Sequence, residues 1–204
     1  MQHYILLADL FKYPSENLHV KNDEAIMLIK KDFSSERPKY TRFSTHIQDH
    51  SLRELQEYYV NTFDIQALCY LDIGYVLFGD DLKRGNFLVQ LLSEHRKINN
   101  DLGTELPDHL PNLLALLAKT TDTAFRDEFV QYILLPAILS MIKGFKEGSN
   151  VYLDLLMVLK EFLKRDFQIE EININIPAKQ QNCVLAGNGC HASSFENIKN
   201  QNYE

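Results

Sequence analysis

Residues 51–63 read Ser-Leu-Arg-Glu-Leu-Gln-Glu-Tyr-Tyr-Val-Asn-Thr-Phe, and this stretch decides the fold class. Ser51 is followed three residues later by Glu54. That pair is the signature of a capping box, in which each side chain satisfies the other residue's free backbone N–H at a helix start. From there Leu52, Leu55, Tyr59 and Phe63 recur every three or four residues and form an apolar stripe, leaving Arg53, Glu57 and Asn61 for solvent. A helix from Ser51 to about Phe63, with one face buried against other helices, is the expectation.

The same period recurs on both sides. Tyr4, Leu7, Leu10 and Phe11 share one face of a helix over residues 2–13, which Pro14 stops. Ala25, Ile26, Leu28, Ile29 and Phe33 predict a second helix, and the polar region from Ser34 to Arg42, containing Pro38, reads as a loop. Asp80-Asp81 offers an N-cap for a helix carrying Arg84, Phe87, Leu88, Leu91 and Leu92 and running to about Asn100. Glu105 to Pro111 holds prolines at 107 and 111, which fix two φ angles and remove two donors, so it reads as a rigid connector or a helix's first turn. Thr121 to Lys146 is a further helical pattern in which Pro136 predicts a kink. Asn150 to Phe167 is another, with Lys160, Lys164 and Arg165 late in the segment, where they suit the negative helix end. No strand pair is evident. The chain therefore reads as all-α, a single-domain helical bundle over residues 1–170 followed by a flexible, Asn- and Gly-containing tail over 171–204.

Composition narrows the function classes. The chain has 204 residues, enough for one continuous core without disulfides or a structural metal. A formal net charge of −7 repels phosphate backbones and anionic lipid, so nucleic acid is not an expected partner. The start MQHYILLADLFKYP lacks a basic opening and carries Asp9, unlike a secretory signal, and no apolar run approaches the length of a membrane span. A cytoplasmic protein with reduced thiols at Cys69, Cys183 and Cys190 is expected.

Residue sets that carry chemistry are missing from the pattern. The eight glycines never form a phosphate-cradling loop, and there is no HExxH and no paired CxxC. Cys183, Cys190 and His191 supply three soft ligands where a closed zinc site needs four. Cys69 has no basic neighbour to activate it and reads as a small buried hydrophobe. His109 follows Asp108 without an accompanying nucleophile, and a metal site from Asp72, Asp80 and His109 would require those side chains to converge. No catalytic residue, metal or cofactor is assigned.

Three blocks resemble a known family. EYYVNTFD at Glu57–Asp64, YVLFGDDLKRGNFLVQLL at Tyr75–Leu92 and ELPDHLPNLLALL at Glu105–Leu117 look like the molybdoenzyme assembly chaperones of the nitrate reductase delta-subunit type, in order and in separation. The resemblance implies the all-helical fold shared with chaperones of dimethyl sulfoxide and trimethylamine N-oxide reductases. It also implies that the chain binds the N-terminal region of an apo catalytic (alpha) subunit of a molybdopterin oxidoreductase, in company with cofactor-delivery proteins, until the molybdenum cofactor is inserted. The carried-over residues are Tyr59, Phe63 and Asp64, then Gly79, Asp80, Arg84 and Gly85, then Glu105, Leu106, Pro107, Asp108, His109, Leu110 and Pro111. The chain departs from the nitrate reductase subgroup at Cys69–Gly79, CYLDIGYVLFG, where a histidine-rich stretch is usual.

A helical groove that takes a peptide needs apolar pockets for its anchors and acids for its Lys or Arg residues. Tyr70, Tyr75 and Phe78 are candidates for the first role, and Asp72, Asp80, Glu105 and Asp108 for the second. The competing reading makes the aromatics core and the carboxylates caps. Arg84 is expected to pair with an acid and lock the central loop to the bundle.

Overall fold

The computed structural model describes residues 1–32, 36–65, 67–145 and 150–169. The expected tail, with Cys183, Cys190 and His191, lies outside them. Ten α-helices are described: α1 His3–Leu10, α2 Leu18–Asp32, α3 Arg37–Asp49, α4 Leu52–Phe63, α5 Ile73–Phe78, α6 Leu82–Lys97, α7 Leu110–Lys119, α8 Thr123–Phe129, α9 Leu135–Gly144 and α10 Val151–Asp166. Among the described residues there is no strand, only an isolated antiparallel bridge between Asp72 and His109.

Local chemistry sets the helix ends. The Ser51 hydroxyl accepts from the Glu54 N–H while the Glu54 carboxylate accepts from the Ser51 N–H at 2.8 Å, closing the capping box that starts α4. Asp81, rather than Asp80, caps α6, its carboxylate accepting from the Lys83 N–H at 2.8 Å. Asn150 caps α10 in the same way through the Tyr152 N–H. Gly79, at φ 62°, ends α5 by donating to the Tyr75 carbonyl at 2.8 Å, a left-handed backbone that a side chain disfavours.

Two expectations are corrected. The polar stretch up to Arg42 is not a loop: from Arg37 it is α3, because Pro38 sits in the first helical turn, where its missing N–H has no intrahelical acceptor to lose. The second helix begins at Leu18, seven residues before its strongest apolar signal at Ala25. The disturbance expected at Pro136 takes the form of a π-helical segment at Val130–Leu134, in which the Leu135 N–H donates five residues back to Val130. That wider turn precedes a proline, which cannot donate to the ladder.

The core is organised around α7 and α10. Leu110, Leu113, Leu114 and Leu117 on α7 are wholly buried, and α1 and α2 pack in sequence from that helix outward. On α10, which packs against α3 and α9, Tyr152 forms edge contacts with Phe43, Tyr59 and Phe63, the closest at 4.7 Å. His3 and Asp166 tie the first helix to the last at 2.6 Å, and the Tyr4 hydroxyl donates to the same carboxylate. The short α5 lies against α6 and α9, and with the loop before α7 it forms the surface to which the sequence blocks point.

Candidate functional site

Four side chains from three elements meet where α5 begins. Asp72 precedes α5, Arg84 stands in the first turn of α6, and Asp108 and His109 end the loop that leads into α7. The backbone joins them first: Ile73 N–H donates to the Asp108 carbonyl at 2.9 Å and Leu110 N–H to the Leu71 carbonyl at 2.8 Å. Side chains then complete the junction. Arg84 Nη2 donates to Asp72 Oδ2 at 3.1 Å and Arg84 Nε to Asp108 Oδ2 at 3.3 Å, while His109 Nδ1 lies 3.2 Å from Asp72 Oδ1. The expected lock between Arg84 and an acid is present, and it holds two acids.

The two carboxylates experience different surroundings. Asp108 is fully buried, and burial followed by the neighbouring Asp72 charge pushes its carboxyl above the usual range despite Arg84. Asp72 is pulled below that range, first by its hydrogen bond to His109, which together with the Arg84 charge outweighs its partial desolvation. Asp108 Oδ2 also accepts from the Gly74 N–H at 3.1 Å. A Cβ at position 74 would stand 2.6 Å from that oxygen and 3.0 Å from the Phe87 ring, so only glycine lets α5 come this close. The Arg84 guanidinium lies 5.5 Å from the centre of the Tyr75 ring, and Tyr70 packs edge-on to Tyr75 at 4.6 Å.

The candidate residues divide by depth. Tyr70 and Leu106 are each 45% exposed, and Asp64, Asp80, Gly85 and Glu105 are also exposed. Tyr75, Phe78, Gly79, Pro107 and His109 are half-buried. Asp72 and Arg84 are also half-buried, and five further candidates lie beneath the surface. Tyr59 and Phe63 belong to the core, Tyr59 donating its hydroxyl to the Phe11 carbonyl at 3.2 Å. Asp108, Leu110 and Pro111 are buried beneath the loop rather than displayed on it. A stripe of tyrosine and phenylalanine at helical spacing reads the same whether it packs inward or binds, and here it packs inward. Asp72 and Asp108 are likewise committed to Arg84 and His109, which leaves Glu105, 4.0 Å from His109, with Asp64 and Asp80 as the exposed acids among the candidates.

Sequence patterns do not single out Ile65 and Leu68, which are 62% and 44% exposed in the segment leading to Tyr70. Nor do they reveal a second polar network beneath the loop. His95, Asn100, Asn112 and Lys119 hold the chain between α6 and α7 through the Pro107, Leu102 and Leu106 carbonyls. The available signal is a polar residue on an apolar stripe, since Phe87, Leu91 and His95 fall at intervals of four on α6.

The metal site considered from Asp72, Asp80 and His109 does not assemble. Among the described residues no group of three or more His, Cys, Asp or Glu side chains is placed to hold an ion. Burial alone pushes the Cys69 thiol up to about 12, away from nucleophilic use. Among the described residues no helix is long and apolar enough to cross a membrane.

No family model matches the chain. Comparison with known proteins finds a similarity to a curated molybdenum cofactor assembly chaperone. The particular relative is the probable nitrate reductase molybdenum cofactor assembly chaperone NarW of Escherichia coli (strain K12). It is 27% identical over 140 residues, which cover 68% of this chain and 59% of the relative. The aligned region thus spans less than two thirds of that protein.

Proposed function

We propose that the chain is an assembly chaperone for a respiratory molybdoenzyme, with nitrate reductase as the client, and that it is not an enzyme. It binds the apo catalytic subunit through that subunit's N-terminal segment and promotes insertion of the molybdenum cofactor before membrane docking or export. Cofactor-delivery proteins are further partners in this reading. The observation that carries it is the 140-residue similarity to a protein whose name states such a role.

The surface is consistent with it. The bridge between Asp72 and His109 joins the segment that carries the exposed Tyr70 to the end of the loop on which Glu105 and Leu106 are exposed. Exposed apolar anchors next to open carboxylates suit an amphipathic segment with basic residues. The Arg84 junction holds the two parts in a fixed relation, so a client meets a preformed surface and less ordering entropy is lost on docking.

Co-purification tests the proposal. The tagged chain should retain the apo catalytic subunit and release it once the cofactor is in place, and that subunit's N-terminal peptide should titrate calorimetrically against the chain. Failure to retain any molybdoenzyme subunit, with unchanged activity of those enzymes in a deletion strain, would overturn it. The departure at Cys69–Gly79 favours one second reading, a client from another branch of the dimethyl sulfoxide reductase family. Mass spectrometry of the retained subunit separates the two.

A further inference from the structure

Beneath the surface loop, His95 is 1% exposed and placed so that its ring can be only neutral. Its Nε2 faces the Pro107 carbonyl at 2.9 Å, and a carbonyl only accepts, so Nε2 carries a proton. Its Nδ1 faces Asn100 Nδ2 at 3.0 Å. The orientation of the Asn100 amide is fixed from both sides. Its nitrogen also donates to the Asn112 carbonyl at 3.3 Å, and its oxygen accepts from the Lys119 ammonium at 2.6 Å. Turning the amide over would set oxygen against carbonyl and nitrogen against ammonium. Asn100 therefore presents a donor to His95, and Nδ1 must be an acceptor.

A second proton on His95 has no place in this arrangement. It would set two donors nose to nose in a buried site, at a cost comparable to an unmade buried hydrogen bond for each. The charged groups facing the ring are Lys119 from α7, which opposes a second positive charge, and Glu94 on α6 itself, which favours one; the loop contributes the neutral Pro107 carbonyl. Burial lowers the histidine's affinity for that proton further. Displacement of the His95 ring would free Asn100 and the Pro107 carbonyl next to Asp108, while the Asn112 side chain keeps its own hold on the Leu102 and Leu106 carbonyls. The loop then loses the support nearest Asp108 and His109.

We propose that His95 is a proton-operated latch: with the ring neutral the loop over residues 99–109 is held against α6 and α7, and protonation of Nδ1 opens it, withdrawing Asp108 and His109 from Asp72 and Arg84. As control of client docking this rests on the function proposed above, whereas the opening itself stands on the hydrogen-bond geometry alone.

Amide hydrogen exchange read from about pH 7.5 to about pH 5 tests the latch in the full chain, without a client. The reporters are the Ile73 and Leu110 amides, which bond across the bridge between loop and α5, with amides inside α10 as the control for global unfolding. Corrected for intrinsic rates, opening at the reporters should rise as pH falls below about 6.5, by up to about tenfold per pH unit, with α10 unchanged. His95→Gln donates to Pro107 and accepts from Asn100 at every pH, so the rise should vanish. Asn100→Asp, which offers the protonated ring an acceptor, should remove it independently. A flat profile in the native chain, or an equal rise in both variants, would overturn the latch and leave the client proposal untouched. Loss of the rise in either folded variant supports it.

Discussion

Arg84 Nε lies 3.3 Å from Asp108 Oδ2, an exposed helix reaching a carboxylate that solvent does not touch at all. The second arm of the same guanidinium holds Asp72, so one residue of α6 fixes both the start of α5 and the loop before α7. The planar fork is what permits this, since two donors leave the same group in different directions.

Arg84→Ala should therefore destabilise the fold. Removing one partner of a buried pair leaves an uncompensated charge, a loss of several kcal/mol where both partners are fully enclosed. Here Asp108 can take up a proton instead, and the Arg84 side chain is 21% exposed, so about 2 kcal/mol is expected, a fall of about 4–8 °C in Tm. Arg84→Lys should recover only part of it, because a single ammonium cannot reach both acids in the fork geometry. Thermal unfolding of the two variants measures this, and a rescue by lysine as complete as the native chain would remove the two-armed role.

Gly74→Ala tests the close approach itself. The added Cβ would stand 2.6 Å from Asp108 Oδ2, and that oxygen is held by Arg84 and by the Gly74 N–H, so it has no free direction in which to yield. Overpacking of this kind costs about 1–3 kcal/mol. The same change at Gly85, where nothing lies within 4 Å of the new atom, should leave stability unchanged or slightly raised through helix propensity. Denaturant midpoints for both variants give the comparison.

How much of this is legible in the residues follows from sequence separation. The capping box at Ser51, the cap at Asp80-Asp81 and the helical stripes are signals written within a few residues, and each appears in the fold. Arg84 as a lock is legible as well, because a lone arginine beside acids has few structural roles. The burial of Asp108 is not, for it depends on Gly74, 34 residues away, drawing α5 over the loop. Resemblance marks Tyr59 and Phe63 as binding residues, although their own spacing on the stripe with Leu55 points inward. Pro38 misleads because a proline after a polar run marks a helix start as readily as a loop.

The contact between the first and last helices predicts an acid limit to stability. Burial pushes the Asp166 carboxyl up, but the His3 hydrogen bond and the Arg165 charge outweigh it and bring the value down to about 2. The unfolded carboxyl titrates near 3.9, so the stabilisation is present above about pH 4 and is lost as pH falls through the folded value. The span corresponds to a loss on the order of 2 kcal/mol. Unfolding free energies between about pH 5 and about pH 2 should show this slope in the native chain and a shallower one in Asp166→Asn, which no longer titrates. Equal slopes would mean that the acid limit lies elsewhere.

Surface and support can be separated by substitution on the client face. Tyr70 and Leu106 expose nearly half their area and contribute little to the core, so Tyr70→Asp and Leu106→Asp should leave Tm within about 2 °C of the native value. If they are anchors for an amphipathic client, placing a carboxylate in each pocket removes apolar contact and adds a desolvation cost, and retention of the apo catalytic subunit should fall by about tenfold or more. Glu105→Lys, also exposed, should act differently. Loss of the attractive field at the rim slows association and reduces the salt dependence of binding while altering the dissociation rate less. Tyr59→Leu is the contrasting case: it breaks the bond to the Phe11 carbonyl inside the core, so any loss of client should track its loss of stability. Affinity measured against Tm for the four variants distinguishes the two modes. If the exposed substitutions leave client retention unchanged while Tyr59→Leu abolishes it at full stability, the binding surface is the opened core and not the face of Tyr70 and Leu106.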